Sequence, residues 1–96
     1  MASEQLESIT IDLENRKNWS DLQKSLEILR LSKEVINEVQ NARTKCYSIE
    51  EIDGMRASVV GLTITGTESV ETIGIRYISN NESYSKKYTR QDFYKL

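Results

Sequence analysis

From Asp21 to Lys45 the chain has neither glycine nor proline, and its apolar residues recur at helical spacing. No other stretch limits the fold so strongly. Ser20 can cap such a helix, with Gln23 three residues on completing a capping-box pattern. The apolar positions fall on two stripes. Leu22, Leu26, Leu29 and Ile36 form one, and Ile28, Leu31, Val35, Val39, Ala42 and Cys46 form the other. A helix so widely apolar must be covered from two sides. A sheet can supply one cover; a first helix, a second copy of the chain or another protein must supply the other. Lys33 and Gln40 interrupt any heptad, which argues against a long coiled coil.

The style of the chain changes near Cys46, where β-branched residues, glycine and tyrosine begin to accumulate. Strands are expected over about 56–65, 71–79 and 83–89. Pairing Ile64 with Ile73, Leu62 with Ile75 and Val60 with Tyr77 closes a loop at Thr67–Val70. Asn80-Asn81 makes a two-residue turn, because asparagine tolerates positive φ. That turn sets Tyr84 opposite Tyr77 and Tyr88 opposite Ile73. It also leaves Lys86 on the apolar face opposite Ile75, where it must snorkel or guard an edge. The other face carries Val59, Gly61, Thr63, Thr72, Gly74, Arg76, Ser83, Ser85 and Lys87. Thr89 with Asp92 suggests a capped final turn that returns Phe93 and Leu96 to the core.

Residues 3–16 fit two patterns. Leu6, Ile9 and Leu13 have helical spacing, whereas Ile9, Ile11 and Leu13 alternate like a strand. Ser3 as a cap, with Glu, Gln and Leu nearby, favours the helix. Ser48–Gly54 reads as a turn or one helical turn. The expected fold is therefore α+β, a single domain over 1–96. Two N-terminal helices (about 3–16 and 21–45) pack on a three-stranded antiparallel meander with a short C-terminal helical turn. A small SH3-like barrel over 56–96 is an alternative.

Composition excludes several kinds of chemistry. The 96 residues include no histidine, no proline and one cysteine. No zinc site of the usual kind, His-dependent nucleophile or internal disulfide can be built. Gly61–Thr67 has the outline of a phosphate-binding loop, but Thr67 and Glu68 stand where the lysine should be. Glu50, Glu51 and Asp53 lack calcium-loop spacing and suit a solvated helix start. Cys46, on an apolar stripe, reads as a buried small hydrophobe. No cofactor and no enzymatic activity are expected. The opening residues lack the pattern of a signal peptide, and no apolar run approaches a membrane span, so the expected location is cytoplasmic, without membrane contact.

Two binding readings remain. Hydrophobic residues make up 38% of the chain, which is polar for a domain that must offset its folding entropy alone. This favours a small interaction module, an accessory subunit, regulator or inhibitor that binds a protein partner or itself. Trp19, Ile28, Leu31, Val35 and Val39 are its candidate interface, with the polar sheet face as a further surface. The alternative rests on charge. Residues 1–53 hold 7 basic and 11 acidic side chains, and residues 54–96 hold 6 and 4. On the C-terminal hairpin Arg76, Tyr84, Lys86, Lys87, Tyr88 and Arg90 interleave cations with aromatic rings, as a nucleic-acid or nucleotide site requires. The expected register turns both tyrosines inward, which weakens that reading.

Overall fold

The computed structural model describes residues 8–14 and 18–96. The elements are β1 (Ser8–Asp12), α1 (Trp19–Ile28), α2 (Lys33–Ser48), β2 (Glu51–Ile52), β3 (Met55–Arg56), β4 (Ser58–Gly66), β5 (Val70–Ser79), β6 (Glu82–Thr89) and α3 (Arg90–Tyr94). The α+β class stands. The main sheet is antiparallel in the order β1-β4-β5-β6, and β2-β3 is a separate small hairpin. An open sheet completed by β1 replaces the alternative barrel. Among the described residues no helix is long and apolar enough to cross a membrane.

The N-terminal half departs most from expectation. Residues 8–12 form a strand, not part of a helix over 3–16; residues 3–7 and 15–16 of that span lie outside the described residues. Ile9 pairs with Ile64 and Ile11 with Leu62, and Ile9, Ile11 and Leu13 are all buried. Alternation prevailed over helical spacing because it sends all three apolar side chains into one core.

The single helix expected over 21–45 is two helices. Asn18, not Ser20, caps α1, its Oδ1 accepting from the Ser20 amide at 2.9 Å. Arg30 then takes the left-handed conformation (φ 58°), which ends the helix. Ser32 starts α2, its Oγ accepting from the Val35 amide at 3.2 Å. This break resolves the two-stripe problem. Leu26 on α1 and Val35, Ile36, Val39, Ala42 and Cys46 on α2 all reach the same core, because each short helix needs only one apolar face.

Ser48–Gly54 is also corrected. Ser48 ends α2, and Glu51–Arg56 form a hairpin about Asp53-Gly54, both at positive φ (53° and 78°). Asp-Gly is a favoured sequence for such a turn.

The meander follows the expected register in most of its length. Ile64 faces Ile73, Leu62 faces Ile75, Tyr84 faces Tyr77, Tyr88 faces Ile73 and Lys86 faces Ile75. The exception is Tyr77, which faces Val59, not Val60. A bulge leaves Val60 unpaired with β5, and its carbonyl accepts from the Leu13 amide at 3.0 Å. Val59 is thereby turned toward the core. A second register shift at Thr65/Gly66 ends β4. A Cβ on Gly66 would sit 1.9 Å from the Ser69 carbonyl oxygen, so only glycine fits there. At the C-terminus Thr89 caps α3 and Phe93 is fully buried. Leu96 does not return to the core; it is 39% exposed, and its carbonyl accepts from Lys45 Nζ at 2.8 Å.

Candidate functional site

Helices and core side chains cover one face of the main sheet. Among the described residues no helix or loop covers the other face, and strand register determines what stands on it. One row reads Asp12, Gly61, Arg76, Ser85 across the four strands. The next reads Thr10, Thr63, Gly74, Lys87, and a third Ser8, Thr65, Thr72, Thr89. All of these but Ser8 and Thr89, at the ends of the third row, line a shallow trough of about 530 Å³.

The glycines shape its floor in different ways. Arg76 lies across Gly61: a Cβ there would be 3.6 Å from Arg76 Cβ and 3.7 Å from its Nε. Gly74 is open. The nearest atoms to a Cβ there are two backbone carbonyl oxygens at 3.8 Å, from Lys86 and Thr63. Hydroxyls border this bare patch. The Oγ1 atoms of Thr10 and Thr63 lie 3.4 Å apart, and Thr65 and Thr72 are hydrogen-bonded to each other.

This face presents two cations, Arg76 and Lys87, and one carboxylate, Asp12, all lining the trough. Arg76 and Lys87 are diagonal neighbours on adjoining strands, within reach of each other's long side chains. Among the described residues neither has an ion-pair partner. Asp12 stands at the far edge, its Oδ1 accepting from the Glu14 amide at 2.9 Å.

The remaining residues of the expected basic–aromatic hairpin are engaged elsewhere. Lys86 points inward and pairs with Asp53 at the β2-β3 turn, which accommodates its charge over the apolar face. The same bond raises its pKa. Arg90 pairs with Glu38 of α2. The Tyr84 ring stacks on Tyr77 with centroids 5.4 Å apart, and its hydroxyl donates to Glu82 Oε2 at 2.8 Å. That hydrogen bond, with some desolvation, raises the Tyr84 pKa. Tyr88 is half-buried beneath Lys86, and burial raises its pKa. Neither ring is on the open face, so no base-stacking platform accompanies Arg76 and Lys87.

The expected helical interface is not brought together. Val35 and Val39 are core residues, and Trp19 and Leu31 are partly buried against the same core. Only Ile28 is open, 79% exposed beside Leu29 at the end of α1. Splitting the helix absorbed the stripe that seemed to require a partner.

Cys46 is buried, and burial pushes its thiol up to about 12. Gly61–Thr67 is the end of β4 and its turn, not a phosphate loop. Among the described residues no group of acidic or cysteine side chains is placed to hold a metal ion.

Thr10 and Asp12 join this face only because residues 8–12 form a strand, which the helical spacing over 3–16 conceals. Their signal was the alternation of Ile9, Ile11 and Leu13, which sends Ser8, Thr10 and Asp12 to the opposite side. Comparison with protein-family models, curated proteins and solved structures finds no match to this chain.

Proposed function

We propose that this protein is a non-catalytic interaction module that receives an acidic protein segment on the uncovered face of its sheet. The carrying observation is the pairing of bare floor and free charge. Gly74 leaves backbone accessible, and Arg76 and Lys87 stand beside it without acidic partners among the described residues. Cations in such a recess attract carboxylates, and the hydroxyls of Thr10, Thr63 and Ser85 can orient them by hydrogen bonds. An accessory subunit, regulator or inhibitor working in the reducing cytoplasm fits this description, since the lone buried cysteine requires no oxidising compartment.

Nucleic acid is the second reading, because the same cations attract phosphate. It lacks aromatic stacking on the open face.

The test is capture from lysate of the source organism, with and without nuclease, by the wild-type chain, by R76E/K87E and by I28D. The expected result is a protein that survives nuclease, binds wild type and I28D, and is lost from the charge-reversed variant. Material lost on nuclease treatment would replace this reading with the nucleic-acid one. Equal capture by R76E/K87E would remove the open face as the site.

A further inference from the structure

The strand β6 forms one edge of the main sheet, and its backbone is organised for a further strand. The turn Asn80-Asn81, with φ of 53° and 65°, closes the β5-β6 hairpin at Ser79 and Glu82. In a two-residue hairpin the closing pair exchanges both backbone hydrogen bonds, and bonded and non-bonded pairs then alternate. Glu82, Tyr84, Lys86 and Tyr88 therefore direct their amides and carbonyls at β5. Ser83, Ser85 and Lys87 direct theirs out of the sheet, and no backbone hydrogen bond joins them to another described element.

An edge of this kind is usually guarded, and an inward-facing charge is one such guard. Here Lys86 has that position, but Glu82 lies four residues before it on the same face. The strand is thus complementary to itself. Two copies related by a two-fold axis normal to the sheet meet antiparallel, with like faces on the same side. If the axis passes through Tyr84, each Lys86 faces the partner's Glu82. Ser83 and Ser85 then exchange backbone bonds with the partner's Ser85 and the partner's Ser83. Tyr84 meets the partner's Tyr84 at a non-bonded position, where side chains come closest. Moving the axis to Lys86 sets two ammonium groups against each other. Moving it to Ser85 leaves Glu82 facing a tyrosine and gives Lys86 no new carboxylate.

We propose that the protein self-associates by antiparallel pairing of β6 with β6 of a second copy, in the register centred on Tyr84. The apparent guard becomes the element that selects the register. The two-fold axis sets both open faces on the same side of one continuous sheet, so the Arg76 and Lys87 pairs of the two copies share a surface. This inference does not depend on what that surface binds.

Sedimentation equilibrium of the full chain across a concentration series tests it. The expected mass is twice the 11.1 kDa of one chain. S85P removes an outward amide without touching the β5 ladder, so it should halve the mass while the circular dichroism spectrum stays that of a folded protein. Register is read by oxidation: Y84C should give a covalent dimer and S85C should not, with wild type as the control because Cys46 is buried. R76E/K87E should leave the dimer intact, which separates this proposal from the function proposed above. A wild-type monomer throughout the series, or an S85P dimer, would overturn the pairing. Cross-linking of S85C in preference to Y84C would overturn the register.

Discussion

Lys86 and Lys87 are neighbours on β6, and the pleat sends them to opposite faces of one sheet. On the covered face Lys86 lies among Ile75, Tyr77 and Tyr88 and is paired with Asp53, which the β2-β3 turn brings to it. On the open face Lys87 stands over bare backbone at Gly74, with no acidic partner among the described residues. A charge over apolar surface persists only with a partner, whereas a charge in water can be left available for binding. The two faces share every strand and every backbone pairing. They differ in what stands over them, and that difference separates the residues that hold the fold from those free to recognise something else.

Truncation should expose this contrast most strongly. Phe93 is fully buried where α3 meets the sheet, and Phe93→Ala should cost about 3–5 kcal/mol in a urea titration. Thr63→Ala, on the open face, should stay within about 0.5 kcal/mol of wild type. A comparable loss at Thr63 would mean that the open face is structural, and the site assigned to it would fail.

The glycines sharpen the comparison at a single atom. A Cβ on Gly66 meets the Ser69 carbonyl oxygen at 1.9 Å, so Gly66→Ala must displace the turn and should cost roughly 1–3 kcal/mol. A Cβ on Gly74 meets nothing closer than 3.8 Å, so Gly74→Ala should leave stability within about 0.5 kcal/mol. It would narrow the floor of the trough, so any loss of partner binding would be separate from folding. Equal unfolding midpoints for the two variants would refute the reading of Gly66.

The uneven legibility of the sequence follows from how far apart the deciding contacts lie. The β5-β6 hairpin could be read in detail because Asn80-Asn81 and the alternation of Tyr84, Lys86 and Tyr88 determine it locally. The fate of Ile9, Thr10 and Ile11 depends on β4, which is remote in sequence: Ile9 faces Ile64. Five residues cannot announce a partner at that distance, and their content of Glu and Leu neighbours pointed to helix. The break at Arg30 carries no glycine, so its left-handed turn is silent in composition. Ser32 was the available cue. The open face was legible from β4 onward because period-two alternation separates Thr63, Gly74, Arg76 and Lys87 from the core. Only its β1 edge was hidden, together with the bulge that turned Val59 inward.

Cys46 tests the covered face by pH. Its folded pKa is about 12, against 9.0 for the ordinary thiol, because burial disfavours the thiolate. Between those values the unfolded chain loses this proton while the folded chain keeps it. The unfolded state then binds fewer protons, so stability falls as pH rises from about 9 toward 12. Cys46→Ala should flatten that part of the stability–pH curve. An unchanged alkaline slope would assign the loss to other groups, and prompt iodoacetamide labelling of the native protein would contradict the burial itself.

The smallest expected effect returns to the adjacent lysines. The Lys86–Asp53 pair is partly solvated, with side chains 37% and 63% exposed, so its contribution to stability is modest. The ordering is still decisive. Lys86→Ala should lower the urea midpoint more than Lys87→Ala, because it also removes the ammonium held 5.6 Å from the centre of the Tyr88 ring. A double-mutant cycle of Asp53→Ala with Lys86→Ala should show coupling, and one of Asp53→Ala with Lys87→Ala should not. Asp53 holds the Lys86 pKa above its ordinary value, so the coupling is complete below that ordinary value and disappears as pH rises through the folded one. Equal midpoints for the two lysine variants, with no coupling in either cycle, would mean that alternation across the pleat does not separate their roles. The open face would then lose its claim to be the one left free for a partner.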